Sequence, residues 1–325
     1  MNRNECEVYT VAEENVGARL DVFLACVTEL SRSQAQKLIA DGAVAVADAS
    51  GKTVTASKKY VLAEGDTVEL ELPEPTLLSV EAENIPLDVV YEDDDVIVVN
   101  KPSGMVVHPA PGNETGTLVN ALMYHCGESL SGIGGVLRPG IVHRIDKQTS
   151  GLIAAAKNDA AHLSLSEQLA THEMYREYKA LLVGVPKETE GTVNAPIGRH
   201  PTDRKKMAVI KGQGRSRDAI TDYKVEKVLR SHEGDRFSLV SCRLHTGRTH
   251  QIRVHMAYLS HPVAGDETYG GGRTRFERAN AALLDGQALH AKKLSFRHPR
   301  TGEFVTFECD LPDGMKKALE KLSEE

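Results

Sequence analysis

Residues 143–151 read HRIDKQTSG, a polar turn between the apolar runs GIV and GLIAAA. Its one acid, Asp146, stands between Arg144 and Lys147. An aspartate at such a position has a plain reading as an Asx-turn residue and a sharper one as a lone reactive carboxylate. The turn by itself leaves both open. Chemistry with two carboxylates needs a second acid in the same cleft. The run Glu92–Asp95 is the one candidate, and four acids at a hairpin tip read as a solvated face. SGIGGVLRPG has neither GxGxxG spacing nor a Walker lysine, so it is no phosphate loop. There is no G-x-S-x-G elbow, and Ser150 reads as a turn residue. His250 and His255 are five apart, on different faces of a helix or strand, and no HExxH occurs. The five cysteines are scattered without CxxC spacing. They read as reduced thiols, not as a disulfide framework or a zinc site. No metal is expected.

The surrounding pattern says what must position the turn. VIVVNKPSG (96–104) reads as a strand and a break, TLVNALMYHC (117–126) as a helix, and GIVHRI and GLIAAAK as strands around Asp146. Asn158 can cap the helix DAAHLSLSEQLATHE. REYKALLVG, AITDYKVEKVL and RFSLVSCRLH are strands. By the period of two, Tyr178 shares a face with Arg176 and Ala180. Ile252, Met256 and Leu259 fall at helical spacing, so THQIRVHMAYL is a helix with Thr249 near its N-cap. Strands outnumber helices and hairpins are common, giving a mixed, mainly antiparallel sheet with flanking helices, an α+β fold. Upstream, GARLDVFLACVTEL carries Leu20, Phe23, Leu24 and Val27 at helical spacing. A second helix capped by Ser31 and several short strands follow it. The divisions are a module at 1–75, a proline-marked linker at 76–87, a main domain at 88–310 and a charged helix at 311–325.

A chain of 325 residues suits about two domains. No apolar run approaches the roughly 18 residues of a membrane span, and the N-terminus has no signal-like stretch. A cytoplasmic, monomeric protein is expected. The net charge of −7 does not itself suggest a polyanion binder, but residues 1–75 hold 7 Lys+Arg against 13 Asp+Glu, leaving the remainder at 32 against 33. Within that remainder the bases cluster. RHPTDRKKMAVIKGQGRSR (199–217) has seven Lys/Arg against Asp203 alone, and RLHTGRTHQIRVH (243–255) has three Arg, three His and no acid. Such acid-poor segments fit a surface that tracks phosphates.

Taken together, NKPSGMVVHP, HRIDKQTSG, REYKALLVG and TGRTHQIRVHMAYLSHPVAGDETYGG, in this order, resemble the RluA/RluD family of RNA pseudouridine synthases. The first module resembles the alpha-L RNA-binding motif, which puts the chain nearest the RluD branch. The resemblance implies isomerisation of uridine within RNA, that of the large ribosomal subunit, with no cofactor. It implies Asp146 as the catalytic carboxylate and Tyr178 as a platform under the flipped base. An Arg of the third motif would pair with Asp146. Arg248, in the turn before the helix, is the expected partner, because Arg253 falls roughly 140° further around that helix. Such a pairing lowers a carboxylate pKa by about 1–3 units. Arg144 would enter the base stack, offsetting part of the cost of extruding a base. His143, Lys101, Ile252 and Arg253 are expected on the substrate side. Arg32 and Lys37 of the first module, and Arg204, Lys205 and Lys206 of the basic stretch, would meet RNA. The rival readings are an RNA-binding ribosome-assembly factor without essential catalysis and a nucleoside N-glycosidase.

Overall fold

The computed structural model describes residues 5–28, 32–72, 80–110, 112–133, 138–203, 205–212 and 216–325. It divides into two compact units, residues 1–77 and 78–325. Among the described residues no helix is long and apolar enough to cross a membrane.

The first unit runs β1 (Glu5–Thr10), α1 (Leu20–Val27), α2 (Arg32–Ala40), β2 (Val44–Ala47), β3 (Thr53–Val54) and β4 (Thr67–Leu72). Its antiparallel sheet has the order β1-β4-β2-β3. Leu20, Phe23 and Leu24 pack on Val44, Val46, Val68 and Leu70, so the helical spacing in α1 marks its buried face. Ser31, the expected cap of α2, lies outside the described residues.

The second unit contains β5 (Val89–Glu92), β6 (Val96–Lys101), α3 (Leu118–Cys126), β7 (Ser150–Ala156), α4 (Asp159–Ala170), β8 (Tyr175–Val183) and β9 (Glu190–Asn194). There follow β10 (Ile197–Arg199), β11 (Met207–Val209), β12 (Ser216–Arg217), β13 (Ile220–Arg230), β14 (Arg236–Leu244) and α5 (Gln251–Tyr258). The chain closes with α6 (Arg275–Ala279), α7 (Ala281–Leu284), β15 (Leu289–Arg297), β16 (Phe304–Glu308), α8 (Asp313–Glu320) and β17 (Ser323–Glu324). The main sheet has the order β17-β13-β14-β8-β15-β7-β6-β5, with β9 and β16 paired beside β13 and β15. All its pairings are antiparallel except β15 with β7. Every residue of β7 is buried, as small and aliphatic side chains allow in a strand covered on both faces. In β8, Arg176, Tyr178 and Ala180 are buried while Tyr175, Glu177 and Lys179 between them are partly exposed.

Two local expectations change. GIVHRI is not a strand: only Ile141 bridges to β7, at Ala155, and residues 142–149 are irregular. A side chain replaces the missing ladder, since His143 Nε2 accepts the Ala154 N–H at 3.1 Å. Residues 80–87, expected within a linker, are tied to α3. Asn120 Nδ2 donates to Glu81 O at 2.7 Å, and the Glu83 N–H donates to Asn120 O at 3.0 Å. Asn120 also closes a capping box with Thr117, fixing the start of that helix.

Candidate active site

Asp146 lies in the irregular segment after His143 and lines an open cleft of about 570 Å³ with Arg144, Ile145, Tyr178, Ile252 and Arg253. Its Oδ2 accepts from Arg253 Nη1 at 3.0 Å. Behind the arginine stands Asp266, which accepts from Arg253 Nε at 2.6 Å and from Nη2 at 2.9 Å. The guanidinium therefore forms a two-pronged pair on one side and leaves one nitrogen for Asp146. Burial works against the Arg253 charge, but Asp266 and Asp146 more than offset it and raise its pKa above the ordinary value. Arg253 Cζ also lies 5.0 Å from the centroid of the Tyr269 ring, within cation–π range.

Arg248 is not the partner of Asp146. Its Nε donates to Asp218 O at 2.9 Å, on a turn knotted by Gln251. The Oε1 of Gln251 accepts from the Arg248 N–H and the Thr246 hydroxyl, while its Nε2 donates to Ile220 O and Thr221 Oγ1. Helical angle could not select between the two arginines, because every residue from Gln251 to Met256 is buried. A helix enclosed all round has no outward face to assign. The N-cap of α5 is His250, directly after Thr249, and its φ of 58° is left-handed. That conformation is uncommon without glycine.

His250 belongs to the same cluster. Tyr269 Oη accepts the Met207 N–H at 2.9 Å and lies 2.8 Å from His250 Nδ1, leaving its O–H for that nitrogen. His250 Nε2 then faces Asp146 Oδ1 at 4.0 Å. Burial pushes the His250 pKa down, with Asp146 opposing. His250, Asp266 and Tyr269 carry no role in the sequence reading, although all three lie inside the third motif.

Tyr178 is 5% exposed and is set between Ala291 and Cys242 in the sheet. Burial raises its hydroxyl pKa, Arg176 opposes, and Asp146 adds to the rise. Arg144 is exposed at the mouth of the cleft and Ile252 is buried in its wall. Lys101 is not on the substrate side. It is buried, and its Nζ donates to the carbonyls of Pro102, Met105 and Lys147 at 2.7, 2.8 and 3.1 Å. All three donors are used, so it holds the segment that carries Asp146. Burial drags its pKa to about 7, with Asp146 opposing. His143 is buried and serves β7, as described.

Lys205 is exposed and Lys206 reaches Asp203 at 3.7 Å; Arg204 lies outside the described residues. Arg32 is exposed and donates from Nε to the buried Asp21 at 2.9 Å. Burial would raise Asp21, but hydrogen bonds from Gln36, Arg32 and Arg19 outweigh it and hold the pKa at about 2. The Lys37 side chain lies outside the described residues. Asp93, Asp95 and His298 bring ligand-type atoms within 4.8 Å of one another. Those atoms are already engaged, His298 with Asp93 at 2.6 Å and Arg300 with both oxygens of Asp95.

The mixed sheet with flanking helices thus carries a cleft in which Asp146 is the one carboxylate among the described lining residues. The family model described as RNA pseudouridylate synthase matches residues 95–258. An uncharacterized RNA pseudouridine synthase of Bacillus subtilis, YlyB, is 49% identical over 314 residues, covering 96% of this chain and 97% of that protein. Ribosomal large subunit pseudouridine synthase D of Zymomonas mobilis is 44% identical over 322 residues, covering 97% of each. Among solved structures, human RNA pseudouridylate synthase domain containing 1 superposes with a TM-score of 0.56 at 30% identity, covering 78% of this chain and 92% of that one. The chain belongs to the RNA pseudouridylate synthase family, and its activity is the isomerisation of uridine in RNA.

Proposed function

We propose that this protein isomerises uridines of large-subunit ribosomal RNA, with Asp146 as the catalytic carboxylate. The supporting observation is the chain Asp266–Arg253–Asp146 at the wall of an open cleft that also holds Tyr178. The extruded uridine enters that cleft. The C1′–N1 bond breaks, the uracil turns, and C1′ bonds to C5; the C5 proton leaves to water and N1 gains one. Asp146 acts on the reacting nucleotide, and Arg253 fixes the direction of its oxygens. Preorganised charge of this kind is worth most where water is excluded. Tyr178 supplies a flat apolar face against the uracil, as aromatic stacking does for any base. Arg144 fills the space the base vacates. With its side chain on Asp218 O, Arg248 is reassigned to the rim, where it meets the RNA backbone.

The first unit is an alpha-L type RNA clamp carrying Arg32 and Lys37, joined to a catalytic domain that ends near residue 310. Arg204, Lys205 and Lys206 position the backbone without reading bases. The protein acts as a cytoplasmic monomer. The named activity of the Zymomonas relative on the large ribosomal subunit supports the choice of substrate.

The test uses large-subunit rRNA and tRNA transcripts labelled with tritium at uracil C5. Label released from the ribosomal transcript with the chain intact supports the reading. Release from tRNA alone overturns the target, and abasic sites would mark a glycosidase. If about six bases meet phosphates, log affinity falls against log salt with a slope of roughly −4 to −5.

A further inference from the structure

A second hollow adjoins the Asp146 cleft and shares Arg144, Arg176 and Arg248 with it. Its open space is about 1160 Å³. His108, Arg138 and His143 also face it, and no described Asp or Glu lines it. Three of its side chains carry a buried nitrogen with no hydrogen-bond partner: His108 Nδ1, His143 Nδ1 and Arg176 Nε. Among the described residues only His162 Nδ1 shares that condition.

His143 shows what is missing. Its Nε2 accepts the Ala154 N–H, so the neutral ring carries its proton on Nδ1. That proton has no acceptor. Arg176 is 6% exposed, and no described carboxylate pairs with it. A buried guanidinium without a counter-charge is strongly unfavourable, and so is a buried donor left unmade. The chain also keeps room for the guanidinium, since a Cβ at Gly247 would come within 2.8 Å of Arg176 Nη1. An oxyanion seated in the hollow would supply the counter-charge that Arg176 lacks, beside the His143 ring.

We propose that the hollow is an anion subsite that takes a phosphodiester of the substrate strand beside the uridine. Arg176 and His143 are its buried donors, and Arg138, Arg144 and Arg248 form its rim. The assignment rests on the reading of the Asp146 cleft as the uridine site. Arginines match phosphate oxygens in pairs, and the two spaces flank the same side chains, Arg144, Arg176 and Arg248. Inorganic phosphate presents the same oxygens, so the experiment separates the two sources.

The first arm follows the thermal midpoint in sodium phosphate against sodium chloride at equal ionic strength. Phosphate raises it for the wild type, and not for Arg176→Met or Gly247→Ala. The second variant keeps the arginine and displaces its guanidinium, so it decides the matter if the first fails to fold. The second arm measures binding of a ribosomal RNA hairpin carrying one methylphosphonate at each phosphate around a target uridine in turn. Arg176→Met weakens the unmodified hairpin by roughly tenfold or more and lowers the salt slope by about one. One methylphosphonate costs the wild type as much and costs the variant nothing further. Losses that multiply at every position overturn the assignment, as does an unchanged affinity in both variants. Stabilisation by phosphate with every methylphosphonate silent would mark a free-anion site and overturn the RNA assignment. Failure of any RNA to release tritium would remove the uridine reading, while the phosphate arm still decides whether an anion site exists.

Discussion

Asp266 holds Arg253 by two hydrogen bonds, at 2.6 and 2.9 Å, before Arg253 reaches Asp146 at 3.0 Å. The buried carboxylate fixes the guanidinium in plane and rotation, so one nitrogen is aimed at the cleft. Asp266→Asn keeps the size of the side chain and removes its charge. It is expected to lower kcat by roughly 10–100-fold, the range for a lost supporting partner, while RNA affinity stays within a few-fold. Breaking the buried pair is also expected to cost about 3–5 kcal/mol of stability, read from urea midpoints. Unchanged kcat would remove Asp266 from the account.

Arg248 and Arg253 separate in a parallel experiment. Arg253→Lys loses the planar fork that serves two carboxylates at once and is expected to lower kcat at least tenfold. Arg248→Lys keeps a positive charge at the rim and is expected to leave kcat within about threefold, with its effect confined to KM. Single-turnover rates at saturating RNA read both. The reverse ranking would restore Arg248 as the partner of the carboxylate.

Three buried histidines make the fold sensitive to acid. Burial is the main cause in each, and it pushes His108 and His290 down to about 4 and His143 to about 3, from an ordinary 6.5. The unfolded chain therefore takes up protons first as pH falls. Stability is fully present above pH 6.5 and is lost as pH falls towards 4, by roughly 1.4 kcal/mol per pH unit per proton. Urea midpoints between pH 7.5 and 5 are expected to fall, and His290→Asn to shallow the slope by about one proton. A flat profile over that window would contradict neutral burial.

Gly151 joins the two halves of the sheet next to the turn that carries Asp146. Its φ is 109°, and a Cβ would stand 2.3 Å from Ala291 O, its parallel partner on β15. No side chain fits there, and the neighbour is backbone. Gly151→Ala is expected to cost roughly 3 kcal/mol or more, measured by urea melts; a loss below 1 kcal/mol would show that the strands can part.

Short-range pattern made some of this legible and geometry across the chain hid the rest. Alternation in REYKALLVG places Arg176 and Tyr178 on one buried face, because strand period survives in any packed sheet. The same reasoning fails at α5, where burial on all sides removes the asymmetry that angle needs. Asp266 is thirteen residues from Arg253, and nothing local couples them until the turn after the helix folds back. Lys101 looks like a substrate cation in sequence, yet two carbonyls of its own turn and one from the distant Asp146 segment take its donors. GIVHRI reads as a strand because Ile141, Val142 and Ile145 are the β-branched apolar residues that strands favour. It is not one, because His143 supplies the hydrogen bond that a backbone carbonyl would have made.

Replacing Asp146 by asparagine keeps the shape of the cleft and removes the negative charge opposite Arg253. Tritium release from C5-labelled ribosomal RNA is expected to vanish, with RNA affinity within a few-fold of the wild type. Sustained release by Asp146→Asn at even a tenth of the wild-type rate would show that the chemistry resides in another group.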